Sequence, residues 1–171
     1  MAQELSVRPA EPGDAPAIAA IYNQGIEDRV ATFETEPRTG AAIAQQFGAR
    51  AATHSAVVVE RDGQVVGAAW TSEYRPRQAY AGVAEVSVYV ARAARGQGVG
   101  RLALDSVAEA AAARGFWKLV SRIFPENVAS RRLCAAAGFR EVGIYRRHGR
   151  LDGEWRDCVI VERLIGSALE D

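Results

Sequence analysis

The spacing of apolar positions divides the chain into short strands and amphipathic helices. Leu5-Ser6-Val7-Arg8 alternates apolar and polar side chains, the two-residue period of a strand with one face turned inward. Asp14 stands where a helix N-cap belongs, Pro16 falls in the first turn, and Ile18, Ile21, Tyr22 and Ile26 follow at helical spacing. Residues 27–38 are polar and read as a connection. Thr39 opens a second helix that turns Ile43 and Phe47 inward. The runs 56–59 and 64–67 flank Asp62-Gly63, which favours a hairpin because both central residues of its turn need a positive φ.

The clearest strand is Val83–Val90, with Val86, Val88 and Val90 on one face and Glu85, Ser87 and Tyr89 on the other. Arg95-Gly96-Gln97-Gly98-Val99-Gly100 follows. Beyond Val99, Leu102, Ala103, Ser106, Val107, Ala110 and Ala111 hold helical spacing, opposite Arg101, Asp105 and Glu109. Residues 117–124 read as a strand. Asn127 caps a helix that runs to about Ala137, and Gly138 ends it. Residues 139–145 and 155–164 read as two antiparallel strands around the turn at Asp152-Gly153. The sum is an α/β (α+β) fold: a single domain over 1–171 with a mixed sheet of about six or seven strands and about four helices.

Composition narrows the function classes. Twenty-one Lys+Arg balance 21 Asp+Glu, which argues against a nucleic-acid binder and against a polybasic membrane-surface protein. There is no apolar run of about 18 residues to span a membrane. The start, residues 1–8, carries Glu4 and no apolar run, so no signal peptide is expected and the reading is a cytoplasmic protein. Cys134 and Cys158 lack zinc-site spacing and read as buried free thiols, and no metal site is expected. Lys118 is the single lysine, so the basic residues are otherwise arginines. Arginine composition explains most of them. Guanidinium also binds anions bidentately, which leaves a specific role open for a few.

The unit from strand to glycine loop to helix carries the chemistry. Gly96, Gly98 and Gly100 remove Cβ atoms where backbone N–H groups would approach a ligand, and the loop opens a helix whose dipole favours an anion. A pyrophosphate meets that demand. A dinucleotide fingerprint starting at Gly96 would require glycine at position 101, where Arg101 stands, and the Gly-Lys-Ser/Thr of a nucleotide-triphosphate loop is missing. The remaining pattern is Arg95, Gly98 and Gly100.

That pattern resembles the acyl-CoA motif of the GCN5-related N-acetyltransferase (GNAT) superfamily, and the element order resembles the superfamily over nearly the whole chain. The resemblance extends to Pro125-Glu126-Asn127-Val128-Ala129-Ser130 and Ala137-Gly138-Phe139. It implies acetyl-CoA as acetyl donor, with no metal. It also implies that the strand before the glycine loop splays from its neighbour, so that its backbone at Val88, Tyr89 and Val90 pairs with pantetheine. The N–H groups of Arg95, Gly96, Gln97, Gly98, Val99 and Gly100 would take the pyrophosphate, Asn127 would hydrogen-bond the pantetheine, and Ser130 would also bind the cofactor. A narrower set resembles the phosphinothricin and arsinothricin N-acetyltransferase branch: Ile21-Tyr22-Asn23, Phe33 within residues 32–37, Arg75-x-Arg77-x-Ala79-Tyr80, residues 84–90, and residues 153–157. That branch acetylates the α-amine of glutamate-like antimetabolites and implies a homodimer.

Several positions carry two readings. Glu85, a carboxylate on an apolar strand, needs a raised pKa or a partner. It is either a salt-bridged structural residue or, with its site, a general base that deprotonates the acceptor ammonium. Arg75, Arg77 and Tyr80 form an anion clamp for the acceptor or lie solvated on a loop. Phe33 and Thr35 line the acceptor pocket or serve as core and turn residues. Cys134 occupies the place where related enzymes carry a tyrosine or histidine general acid. As a small buried hydrophobe it leaves that role to Tyr145, His148 or water, or unfilled. Acceptors other than glutamate analogues and a non-catalytic acyl-CoA sensor are the competing functions.

Overall fold

The computed structural model describes residues 3–170. Met1, Ala2 and Asp171, the ends of the expected 1–171 domain, lie outside the described residues. The strands are β1 (Leu5–Pro9), β2 (Ala56–Arg61), β3 (Gln64–Glu73), β4 (Val83–Val90), β5 (Lys118–Ile123), β6 (Arg140–Leu151) and β7 (Glu154–Leu164). The helices are α1 (Ala15–Asp28), α2 (Gly40–Arg50), α3 (Val99–Ala113) and α4 (Val128–Ala136). The strands form one seven-stranded sheet in the order β1-β2-β3-β4-β5-β7-β6. Among the described residues only β4 and β5 are parallel neighbours, because α3 carries the chain back across the sheet between them.

Two helical layers cover the sheet. Val57, Val59, Ala84, Val86 and Leu119 pack under α3 and α4 against Val99, Leu104, Val107 and Cys134. Val58, Ala68 and Trp70 meet Ile18, Tyr22 and Ile26 of α1 and Ile43 of α2. Burial on both faces explains why β2 reads Val57-Val58-Val59 rather than alternating with polar residues. Each such side chain contributes about 1.5–3 kcal/mol by leaving water.

The turn chemistry acts where it was expected. Asp62 and Gly63 have φ of 52° and 77°, and Asp152 and Gly153 have φ of 50° and 80°, so both hairpins close through residues in the left-handed region. Thr39 caps α2 by accepting the Ala42 N–H at 3.1 Å. Two expectations are corrected. Asp14 does not cap α1 with its side chain. Its carboxylate accepts the Glu11 N–H at 2.7 Å and two Arg8 N–H groups at 2.8 Å, which ties β1 to the turn before α1. β6 does not stop at Tyr145. A register shift between Tyr145 and Gly149, with Arg147 at φ 47°, absorbs the polar tract and lets the strand continue to Leu151.

Candidate active site

β4 sets the geometry. It pairs with β5 at only three positions, Val83↔Lys118, Ala84↔Leu119 and Glu85↔Val120, and then runs on to Val90. Ala91 N–H donates to the Val66 carbonyl at 2.8 Å, which fixes the parity of the β3 ladder. The Tyr89 backbone groups therefore face β3. Those of Val88 and Val90 face the side that β5 has left. Of the three backbone positions expected to meet a pantetheine arm, Val88 and Val90 are open and Tyr89 is committed to the sheet. The Tyr89 ring stacks on Trp70 at 5.5 Å and meets Tyr22 edge-on at 4.7 Å, and burial pushes its hydroxyl pKa well above the usual range.

Beyond β4 the chain makes a short turn and enters α3. Gly96 and Gly98 have φ of 74° and 84° with open space where a Cβ would stand, and no side chain caps α3. The first N–H groups of the helix thus end in an uncapped cradle fit for an anionic group. Gly100 serves another purpose: a Cβ there would lie 2.7 Å from Leu133 Cδ2, so it permits close packing of α3 on α4. The Arg95 side chain pairs with Asp28 at 2.8 Å, and Gln97 donates to the Ala93 carbonyl at 3.2 Å. Asn127 accepts the Ser130 N–H at 3.2 Å and donates to the Val30 carbonyl at 3.1 Å, so it caps α4 and anchors the connection after α1. Val99 is buried in the core.

On the α1 face of the β4–β5 fork lies a cavity of about 260 Å³. Glu85 and Ser87 of β4, Arg122 of β5, Phe33 of the α1–α2 connection, Phe124 and Cys158 line it. Glu85 Oε1 accepts from Arg122 Nη2 at 3.1 Å, so its charge has a partner, and 31% of its side chain remains exposed. Phe33 meets Phe124 edge-on at 4.8 Å and lies where a Cβ on Gly149 would be 2.7 Å from its ring. The structure brings Phe33 and Glu85 together. Thr35, Arg75, Arg77 and Tyr80 lie outside the cavity wall. Arg75 sits over the Tyr74 ring at 5.2 Å, and Tyr74 meets Tyr80 edge-on at 5.9 Å, on the exposed loop that leads into β4.

Arg122, Ser87 and Cys158 are not among the site residues that the sequence suggests. An arginine inside the interior strand Lys118–Ile123 was the available signal. The candidates for general acid lie apart from the cavity. Burial pushes Cys134 up to about 11, and it packs in the core under α4. Tyr145 and His148 lie against each other at 4.7 Å on the exposed β6. Among the described residues no group of three or more His, Cys, Asp or Glu is arranged to hold a metal. No helix there is long and apolar enough to cross a membrane.

The family profile described as acetyltransferase (GNAT) domain matches residues 4–140. The chain belongs to the GNAT acetyltransferases. Similar to this GNAT chain is phosphinothricin N-acetyltransferase of Alcaligenes faecalis, 36% identical over 95% of this chain and 83% of the relative. The L-methionine sulfoximine/L-methionine sulfone acetyltransferase of Pseudomonas paraeruginosa is 33% identical over 92% of each. A phosphinothricin acetyltransferase from Sinorhizobium meliloti, solved with AcCoA, superposes with a TM-score of 0.90 at 30% identity, covering 98% of this chain and 91% of that one. As a GNAT acetyltransferase the chain uses acetyl-CoA as acetyl donor. The open Val88 and Val90 backbone and the uncapped start of α3 suit an extended amide-bearing arm ending in a pyrophosphate.

Proposed function

We propose that this acetyltransferase acetylates the α-amine of a glutamate-like amino acid bearing a tetrahedral anionic or sulfoximine group, such as phosphinothricin, arsinothricin or methionine sulfoximine, and so inactivates it. The observation that carries the reading is the small cavity at the β4–β5 fork, where a carboxylate, Glu85, and a cation, Arg122, face one space. An α-amino acid brings the complementary pair, an ammonium and a carboxylate. Glu85 takes one proton from the ammonium, directly or through a water, and the freed amine attacks the thioester carbon. The C–N bond forms, the nitrogen gives its second proton to solvent, the C–S bond breaks, and the thiolate leaves and is protonated by solvent. No enzyme-bound acyl group is needed. Backbone N–H groups at Val88 and Val90 lie on the side where an oxyanion would develop. Arg75 and Arg77, on the exposed loop that leads into β4 and without acidic partners among the described residues, are assigned in this reading to the distal anion as a clamp, with Tyr80 and Thr35 as further acceptor-binding residues. Arg95, Gly96, Gln97, Gly98, Val99, Gly100, Asn127 and Ser130 form the donor-binding end.

The same reading includes a cytoplasmic homodimer. Free Cys134 and Cys158 suit a reducing compartment. Val142, Ile144, Tyr145 and Trp155 leave apolar surface exposed on β6 and β7, which suits a second copy. Light scattering on the eluted protein measures the second point directly.

Thiol release from acetyl-CoA with phosphinothricin, arsinothricin, methionine sulfoximine and glutamate tests the substrate assignment. Turnover on at least one of the first three, with kcat/KM well above that on glutamate, is expected. Turnover only on other amines would refute the substrate class and leave the acetyltransferase assignment standing.

A further inference from the structure

A second cavity lies away from Glu85. It holds about 610 Å³, within the range of small-molecule sites, and opens between the C-terminal turns of α2 and α3. Ile18, Ala44, Phe47, Trp70, Ala110 and Ala113 give it apolar walls. Trp70 cannot fold into the space freely: it stacks on Tyr89 at 5.5 Å and meets Phe47 at 5.2 Å. The polar groups gather on the side where α2 ends.

These polar groups are mainly cationic. Arg50 lines the cavity and has no carboxylate partner within ion-pair distance among the described residues. Burial lowers its pKa, and so does the nearby charge of Arg38, so the guanidinium has lost water without gaining a counter-ion. Arg114 donates to Ser55 Oγ at 2.9 Å and to the Ala52 and Ala51 carbonyls at 3.0 and 3.1 Å, all neutral acceptors. His54 Nδ1 lies 3.1 Å from Thr71 Oγ1. The opposing charges are Glu11, which also lines the cavity and is drawn into a capping box with Asp14, and Glu73, which acts on His54. An apolar chamber with unpaired guanidinium at its rim complements a ligand with an apolar body and one anionic end.

We infer that this cavity is a second small-molecule site, separate from the acetyl-transfer site, that binds an amphiphilic monocarboxylate. Its carboxylate sits on Arg50 and Arg114, and its alkyl or aromatic body lies between Phe47, Trp70 and Ala110. None of the lining residues belongs to β4 or to the glycine loop, so occupancy does not compete with acetyl-CoA.

Decanoate is the probe, with decanol as its neutral and decylammonium as its cationic counterpart. Calorimetric titration into the whole protein should give decanoate an affinity about tenfold or more above decanol, with decylammonium weakest. Saturating coenzyme A should leave decanoate binding unchanged. Arg50→Gln should remove the preference for decanoate and leave decanol binding as it was. Ala44→Trp should fill the chamber and abolish binding of both, with acetyl transfer and the thermal melt showing that the fold persists. If that variant fails to fold, Trp70 fluorescence replaces it: decanoate should change the emission, and Trp70→Phe should remove most of that change. Equal affinity for decanoate and decanol, displacement by coenzyme A, or indifference to Arg50→Gln would each overturn the proposal.

Discussion

Glu85 and Arg122 meet at 3.1 Å across strands that have just parted, and each keeps a solvent-exposed portion. A partly exposed pair of this kind adds little to stability, and in the proposed reaction its effect is on the chemistry. Glu85→Gln should lower kcat about 100-fold or more at neutral pH. The gap should narrow at high pH, where the amine is already free, and a pH–rate profile parallel to wild type would remove Glu85 from the role of base. Arg122→Gln should raise the acceptor KM about tenfold and leave the acetyl-CoA KM within about twofold, because Arg122 faces the acceptor cavity and not the glycine loop. Steady-state kinetics with both substrates varied separates the two effects. Glu85 was legible in the sequence as a charge out of place on Val83–Val90. Arg122 was not, because its partner is 37 residues away and only the fork brings the two together.

Among the elements, β6 acts on a site that it does not itself line. Gly149 leaves the space in which the Phe33 ring sits, and Phe33 in turn walls the cavity beside Glu85. Gly149→Ala should push the ring out of place, since a Cβ would stand 2.7 Å from Phe33 Cε1. The acceptor KM should rise several-fold, the acetyl-CoA KM should stay constant, and the melting temperature should drop by a few degrees, about 1 kcal/mol. The strand β4 and the start of α3 were readable from alternation and glycine spacing because both are local properties. The continuation of β6 through 146–150 was not, because its bulge at Tyr145–Gly149 depends on β7.

At the scale of the whole molecule, carboxylates lock strands to their neighbours. Glu162 on β7 pairs with Lys118 on β5 at 2.8 Å and with Arg140 on β6 at 2.7 Å, and the Lys118 bond in particular holds its pKa below the ordinary value. Asp14 is held low chiefly by Arg8. Folded-state values below the unfolded ones mean that this stability is present above about pH 4.5 and is lost as pH falls through the folded values. The urea midpoint should therefore decline from about pH 5 to pH 3. Glu162→Gln should flatten that decline, and an unchanged slope would show that other carboxylates carry it.

The sequence by itself determined the elements, the hairpin turns, the glycine loop and the kinship to acetyltransferases, because periodicity, positive-φ demands and local motifs lie within a few residues of one another. The tertiary structure decided which of the candidates meet. It put Phe33 beside Glu85, gave Glu85 its arginine, and committed Asn127 to a cap and Arg95 to Asp28. It also turned the Tyr89 backbone away from the fork that opens Val88 and Val90. Those outcomes depend on strand register and on contacts between distant segments, which follow from how the layers pack and not from the order of residues along any one of them.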